Sequence, residues 1–230
     1  MKLSLLSFFI LAFTLNLFAQ TQLEQKISIL LGHRYSGGVN PHEYEKFTYL
    51  GLFKNEESYF LKPTRIKVET SYDKCSGDSI FETKAVSSGE CLFLLWGLPQ
   101  YSSNAIQTHY IADHRRFVPP NKNYIFSFSK EHYAFRGYGE SVGNSVNNYK
   151  LKLINETLNR EQILIDEEYL DDSKVDILFI GDLDGDDKPD IIINAPPSKD
   201  TRNVMLFLSS YAEKGELVHC VSQQFDWFDC

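Results

Sequence analysis

The sequence feature that most constrains this chain is an acidic stretch between two short apolar runs. Residues 182–190 carry five aspartates, at positions 182, 184, 186, 187 and 190. The flanking runs, residues 175–180 and 191–193, are rich in β-branched residues and have the length of strands. Carboxylates gathered in a short loop repel each other at neutral pH. A compact loop at this place therefore needs a neighbouring positive charge.

The spacing of the aspartates indicates which cation fits. Asp182, Asp184 and Asp186 stand at positions 1, 3 and 5 of the loop. The backbone carbonyl of Lys188 stands at position 7, and the carboxylate of Asp190 stands at position 9. Calcium takes about six to eight oxygen ligands in a flexible geometry, which suits an all-oxygen set of this kind. We predict a structural calcium ion held by these five residues. The alternative is an acidic, solvated turn that binds no metal.

Two details separate this loop from an EF-hand. An EF-hand has a bidentate glutamate at position 12, where this chain has Ile193. An EF-hand is also flanked by helices, whereas the flanks here predict strands. Gly185 permits a tight turn. Asp187 stands where such loops usually have a glycine, and aspartate tolerates left-handed backbone geometry better than most residues. The sequence therefore predicts a strand–loop–strand calcium unit over residues 175–196.

The loop resembles the calcium loop of FG-GAP and VCBS-type repeats, whose pattern runs roughly D-x-[DN]-G-D-G-x-x-D and continues into a strand. The matching residues are Asp182, Asp184, Gly185, Asp186 and Asp190. Ala195-Pro196 match the end of the "GAP" segment, with Asn194 in place of its glycine. The resemblance covers about twenty residues of the chain. It implies a calcium-binding loop in a β-propeller blade, and a role in adhesion or extracellular binding.

The start of the chain has the pattern of a secretory signal peptide. Lys2 is followed by an apolar run over residues 3–18 and then by Ala19-Gln20. A positive start, an apolar centre and a small residue at the end are the parts of such a signal. We predict cleavage after Ala19. The chain then divides into a signal peptide, residues 1–19, and a single β domain, residues 20–230, that is secreted or periplasmic. An uncleaved anchor is the alternative.

The charge balance narrows the choice of partners. The formal net charge is −8 at pH 7. Nucleic acids and anionic membrane surfaces are bound through clustered lysine and arginine side chains, so neither is expected as a partner after signal cleavage. The expected partner is an extracellular protein or a glycan.

The four cysteines, Cys75, Cys91, Cys220 and Cys230, suggest disulfide bonds. An even number of cysteines in an exported protein is typical of two disulfides. Three pairings are open. Cys75–Cys91 with Cys220–Cys230 is the favoured one, because both bonds close short loops, and a Cys75–Cys230 clamp is the rival.

The rest of the chain predicts an all-β, mostly antiparallel domain. About a dozen short runs have strand character and are separated by turn residues, and no long segment has a period of 3.6. This pattern favours a sandwich- or small-barrel-like domain. A full propeller needs several copies of the calcium loop. The chain has one, so a partial propeller is the alternative. Residues 137–148, rich in Gly, Ser and Asn, predict a loop, and residues 73–89 are polar.

No motif in the sequence assigns catalytic residues. The six histidines form no H-E-x-x-H spacing, and no G-x-S-x-G elbow is present. The favoured interpretation is a calcium-stabilised binding or adhesion-like module. The alternative is a secreted hydrolase, for example one directed at glycans, in which the calcium is structural and a separate cleft does the chemistry. Such a cleft should hold a carboxylate or histidine with a shifted pKa.

Overall fold

A computed structural model describes residues 27–30, 34–36, 41–56, 58–72, 79–98 and 105–227. Most of the described residues lie in strands, and two short 3-10 helices are present at Pro41–Lys46 and Asp113–Arg115. In chain order the strands are β1 (Ser28–Leu30), β2 (Arg34–Ser36), β3 (Tyr49–Asn55), β4 (Ser58–Thr64), β5 (Ile66–Tyr72), β6 (Ser79–Ala85), β7 (Glu90–Trp96), β8 (Asn123–Phe128), β9 (Glu131–Val142), β10 (Ser145–Asn155), β11 (Arg160–Leu170), β12 (Asp176–Gly181), β13 (Asp190–Asn194), β14 (Thr201–Leu208) and β15 (His219–Trp227).

These strands form four antiparallel sheets. The first sheet has the order β1-β7-β3-β4, and a smaller second sheet has the order β2-β6-β5. The other two sheets follow the chain, in the orders β8-β9-β10-β11 and β12-β13-β14-β15. Such up-and-down meanders are built from hairpins, whose short turns bring consecutive strands side by side.

The β12–β15 sheet lies in the middle of the molecule, because both of its faces are covered. Ile191 and Ile193 belong to the core shared with the β8–β11 sheet. Ile192, between them, belongs to the core shared with the first sheet. Side chains alternate across a strand, so three consecutive buried isoleucines require an apolar layer on each side. This explains why the run that follows the acidic loop is continuously apolar.

A third core lies on the opposite face of the first sheet. Tyr49 and Leu94 point into this core together with Ile66 and Val68 of β5. Their neighbours Leu52, Phe93 and Leu95 point the other way, into the core shared with the central sheet. The four sheets therefore stack in layers, with the β12–β15 sheet inside the stack.

Residues 105–120 form a strap along the free edge of β12. The amide of His109 donates to the carbonyl of Ile180 at 3.0 Å, and the amide of Asp182 donates to the carbonyl of Gln107 at 2.9 Å. The amide of Ile177 donates to the carbonyl of Arg116 at 2.9 Å. The strap thus pairs with backbone groups of an edge strand that would otherwise be open to pairing with another chain. It also holds in place the strand that leads into the acidic loop.

The prediction of an all-β, mostly antiparallel fold is confirmed, and the described strands form no closed barrel. The two C-terminal meanders have the strand number of propeller blades. The first two sheets have different strand orders, so the described residues are not a series of equivalent blades. None of the described helices is long and apolar enough to cross a bilayer.

The prediction of a loop over residues 137–148 is wrong. This segment forms the end of β9, the turn at residues 143–144 and the start of β10. The glycines in this segment instead allow neighbouring backbone segments to approach β9 closely. A Cβ atom at Gly137 would lie 2.5 Å from the carbonyl oxygens of Val118 and Pro119, so only glycine fits there. The polar segment over residues 73–89 also contains a strand, β6.

Neither disulfide of the favoured pairing, Cys75–Cys91 with Cys220–Cys230, is formed between the described thiols. The rival Cys75–Cys230 bond lies outside the described residues. Cys91 and Cys220 are free thiols, whereas Cys75 and Cys230 lie outside the described residues. The Cys91 thiol donates to the carbonyl of Phe93 at 3.4 Å. Burial raises the pKa of Cys91 to about 11 and also raises the pKa of Cys220. Both thiols are therefore protonated and weakly nucleophilic at neutral pH.

Candidate metal centre

The acidic loop connects β12 and β13 at one end of the central sheet. β12 ends at Gly181 and β13 begins at Asp190. Gly185 and Asp187 both adopt left-handed backbone geometry, with φ of 84° and 63°. Asp187 thus takes the conformation for which glycine is preferred, as the sequence suggested, and aspartate is among the residues that tolerate it. These two positions fold the loop back over its own start.

The Asp182 carboxylate is oriented by the loop itself. Its Oδ1 atom accepts from the amides of Gly185, at 2.7 Å, and Asp186, at 3.1 Å. Its Oδ2 atom accepts from the amide of Asp187 at 3.1 Å. The side chain at the first loop position therefore organises the following turn, in the way that aspartate commonly does in turns.

The Asp190 carboxylate is completely buried, with 0% exposure. Its Oδ2 atom accepts from the amide of Leu183 at 2.7 Å, and its Oδ1 atom accepts from the amide of Ser209 at 2.9 Å. Burial, together with the negative charge of Asp184, raises the pKa of Asp190 well above its usual range. A buried carboxylate of this kind carries an electrostatic penalty that a cation would remove.

Asp184 has one satisfied and one unsatisfied carboxylate oxygen. The hydroxyl of Ser210 donates to Oδ2. The other oxygen, Oδ1, is buried and has no hydrogen-bond partner within the described part of the chain. Burial raises the pKa of Asp184, and the charges of Asp186 and Asp182 act in the same direction. An orphaned, buried acceptor is uncommon in proteins and requires an explanation.

The carboxylates of Asp182, Asp184 and Asp190 meet at one place. One oxygen from each lies within 4.8 Å of the other two. Calcium–oxygen distances are about 2.3–2.6 Å, so two ligands of one calcium ion lie at most about 5 Å apart. The three side chains therefore fit a single calcium ion, and Asp184 Oδ1 would gain the partner that it lacks.

One of the predicted ligands, Asp186, is placed differently. The Asp186 carboxylate is outside this group of three and accepts from the hydroxyl of Ser209, at 2.9 Å to each of its oxygens. It also accepts from the amide of Lys188 at 3.0 Å. The backbone carbonyl of Lys188 stays a predicted ligand.

Sequence reasoning missed Ser209 and Ser210. Both follow β14. Ser209 lies 23 residues after Asp186, and Ser210 lies 26 residues after Asp184. No local pattern links them to the loop, because the contact is made by the pairing of β13 with β14. The sequence offered one weak indication of their role, which is that two adjacent serines follow an apolar strand.

A cleft of about 670 Å³ adjoins the loop. Ser209, Ser210, Lys188 and Pro189 contribute to its wall. Glu131 also lines the cleft and accepts from the Tyr133 hydroxyl and the Asn155 amide, both at 2.6 Å. Glu216 also lines the cleft, and its pKa is lowered by a hydrogen bond from the amide of Glu213 and by His219. The cleft is large enough for a small ligand.

Comparisons with known proteins identified no relative of this chain. No protein-family profile matches the chain, and no curated protein or solved structure matches it significantly. The function is therefore inferred from the geometry of the loop and the cleft.

Proposed function

We propose that the protein is a secreted β domain stabilised by one calcium ion, and that it acts as a binding or adhesion-like module. One observation carries the calcium assignment: one oxygen each of Asp182, Asp184 and Asp190 lie within 4.8 Å of one another, and Asp184 has a buried oxygen that lacks a hydrogen-bond partner. The chemistry of the donors, which are all oxygen, favours calcium over zinc or copper.

The cation acts on the fold through the central sheet. Asp190 is the first residue of β13, and the three consecutive isoleucines that follow it are buried against both neighbouring layers. A dication that offsets part of the loop's negative charge would relieve the repulsion at the start of this strand. The gain in stability follows mass action and is about 2.7 kcal/mol at one hundred times the dissociation constant.

The proposed location outside the cell depends on residues 1–19. Extracellular modules function with calcium dissociation constants of about 10⁻⁴–10⁻³ M, which is compatible with a partly exposed loop such as this. The proposal predicts that the exported protein begins at Gln20. N-terminal sequencing of the protein from the periplasm or medium tests this point, and an intact Met1 would contradict it.

The binding role is supported by the cleft beside the loop and by the loop's resemblance to FG-GAP and VCBS-type repeats. The cleft carries acidic side chains, Glu131, Glu213 and Glu216, and basic ones, Arg160, Lys188 and Lys214. The opposite charges balance, which disfavours a strongly charged ligand. An extracellular protein segment or a neutral glycan fits this lining better.

A secreted hydrolase is the second candidate, and the cleft is the observation that favours it. Glycoside hydrolysis commonly uses one carboxyl group with a raised pKa as a general acid. The pKa of Glu216 is shifted downward instead, so Glu216 does not fit the role of that general acid. Turnover of a glycan that Glu131→Gln and Glu216→Gln both abolish would favour the hydrolase.

A calorimetric calcium titration tests the calcium assignment directly. We expect one bound ion per chain in the wild type and no binding in Asp184→Ala. Absence of binding by the wild type, at millimolar calcium and neutral pH, would overturn the assignment.

A further inference from the structure

We infer that Ser209 and Ser210 are positioning residues for the cation. They would hold the carboxylates of Asp184 and Asp190 in the positions in which both can bind the ion. This inference rests on the proposed calcium site and adds two residues that lie outside the acidic loop. Neither residue was predicted to be a ligand, and neither is assigned as one here.

The loop positions only part of its own ligand set. The three amide donors to Asp182 all come from residues 185–187, within the loop. Asp190 accepts from the loop amide of Leu183 with one oxygen, but its other oxygen and the Asp184 carboxylate accept from groups outside the loop. Ser210 donates to Asp184, and the Ser209 amide donates to Asp190 at 2.9 Å. The end of β14 thus supplies what the loop lacks.

Ser209 bridges two carboxylates with its hydroxyl. The Oγ atom lies 2.9 Å from both oxygens of Asp186 and 3.2 Å from Oδ1 of Asp190. A hydroxyl has a single proton to donate, so this proton lies between two negative groups that would otherwise repel each other. Ser209 is itself buried, with 6% exposure. Burial strengthens such a charge-assisted hydrogen bond.

The position of the serines is fixed by the fold. Ile191 pairs with Phe207 in the β13–β14 ladder, so β14 ends beside the residue that begins β13. The two serines follow directly after Leu208. Because the central sheet is covered on both faces, its strand ends have little freedom to move. A rigid support for ligand side chains reduces the reorganisation needed when an ion binds.

The experiment compares calcium dissociation constants by calorimetry for the wild type, Ser209→Ala, Ser210→Ala and Ser173→Ala. Removal of a group that orients a ligand commonly weakens metal affinity by about 10–100-fold. We expect a loss of this size for Ser209→Ala and a smaller, several-fold loss for Ser210→Ala, whose side chain is exposed. Ser210→Thr retains the hydroxyl and should restore the affinity.

Ser173→Ala is the matched control. Ser173 is as buried as Ser209, at 6% exposure, and donates to the carbonyl of Pro196 at 2.8 Å, away from the loop aspartates. It should lower the melting temperature in chelator and leave the dissociation constant unchanged. If Ser209→Ala does not fold, the calcium dissociation constant of Ser210→Ala, a substitution at an exposed position, still tests the inference.

The two possible failures are distinguishable. A wild-type protein that binds no calcium overturns the proposed site and the inference together. A wild type that binds calcium, with both serine variants within twofold of its dissociation constant, overturns the inference alone.

Discussion

The amide of Leu183 donates to the Oδ2 atom of Asp190 at 2.7 Å, and this bond closes the acidic loop between β12 and β13. The other oxygen of Asp190 accepts from the amide of Ser209 at 2.9 Å. One buried carboxylate therefore supports the backbone on both sides and also faces the proposed ion. Its structural role and its role as a ligand can be separated by substitution.

Substitution of Asp190 should show the structural role in the absence of calcium. Asp190→Asn and Asp190→Ala both remove the charge, but only asparagine keeps an acceptor oxygen for one of the two amides. An unsatisfied buried donor costs about 1–3 kcal/mol. We expect Asp190→Ala to be less stable than Asp190→Asn by about this amount in chelator, measured by urea unfolding. Equal stability of the two variants would contradict this role.

Substitution of Asp184 should separate calcium binding from stability. Asp184→Ala removes a carboxylate that lies within 4.8 Å of two others and has an unsatisfied buried oxygen. The melting temperature in chelator should be unchanged or higher, and the increase on addition of calcium should disappear. Asp187→Asn, at an exposed position outside the cluster of three, is the control and should keep the increase. A full calcium response in Asp184→Ala would refute the ligand assignment.

His109 should make stability depend on pH. Its Nε2 atom lies 2.8 Å from the Tyr124 hydroxyl, its ring packs against Phe126, and burial lowers its pKa from 6.5. Because the native state disfavours the imidazolium, the unfolded chain takes up the proton more readily, and the free energy of unfolding falls as pH drops below about 6.5.

The test compares the pH dependence of urea unfolding for wild type and His109→Phe in chelator. Between about pH 7 and pH 5, the wild type should lose stability relative to His109→Phe, because only the wild type has the His109 imidazole to protonate on unfolding. His114→Gln, at an exposed position in the same strap, should behave as the wild type does. If the free energies of unfolding of wild type and His109→Phe depend identically on pH, His109 is excluded as a source of the pH dependence.

Gly137→Ala should destabilise the contact between β9 and the strap. The added Cβ atom would lie 2.5 Å from two backbone oxygens, those of Val118 and Pro119. Backbone atoms cannot move aside as a flexible side chain does, and overpacking of this kind costs about 1–3 kcal/mol. Asn144→Ala, in the exposed turn of the same hairpin, is the control. Urea unfolding measures both, and a Gly137→Ala variant as stable as wild type would contradict the close approach.

The sequence predicted the features that depend on local patterns. Alternating and continuous apolar runs identified most strands, and the spacing of the aspartates identified a loop whose left-handed turns at Gly185 and Asp187 are seen in the structure. These features depend on residues close to each other in the chain, which is why a sequence alone reveals them.

Features that depend on distant contacts could not be predicted. The glycines at positions 137 and 139 resemble those of a loop, and their role follows only from the approach of the strap and of β10. Ser209 and Ser210 reach the aspartates through the β13–β14 pairing, which no local pattern specifies. The same applies to Glu131 and Asn155, which come together across the β9–β10 hairpin beside the cleft.

A thermal melt of the protein in calcium and in chelator tests the central claim most directly. At one hundred times the dissociation constant, the expected stabilisation of about 2.7 kcal/mol corresponds to an increase of about 5–10 °C in the melting temperature of a domain of this size. Magnesium should have a smaller effect, since it requires a stricter octahedral geometry. An identical midpoint in millimolar calcium and in chelator would contradict the account.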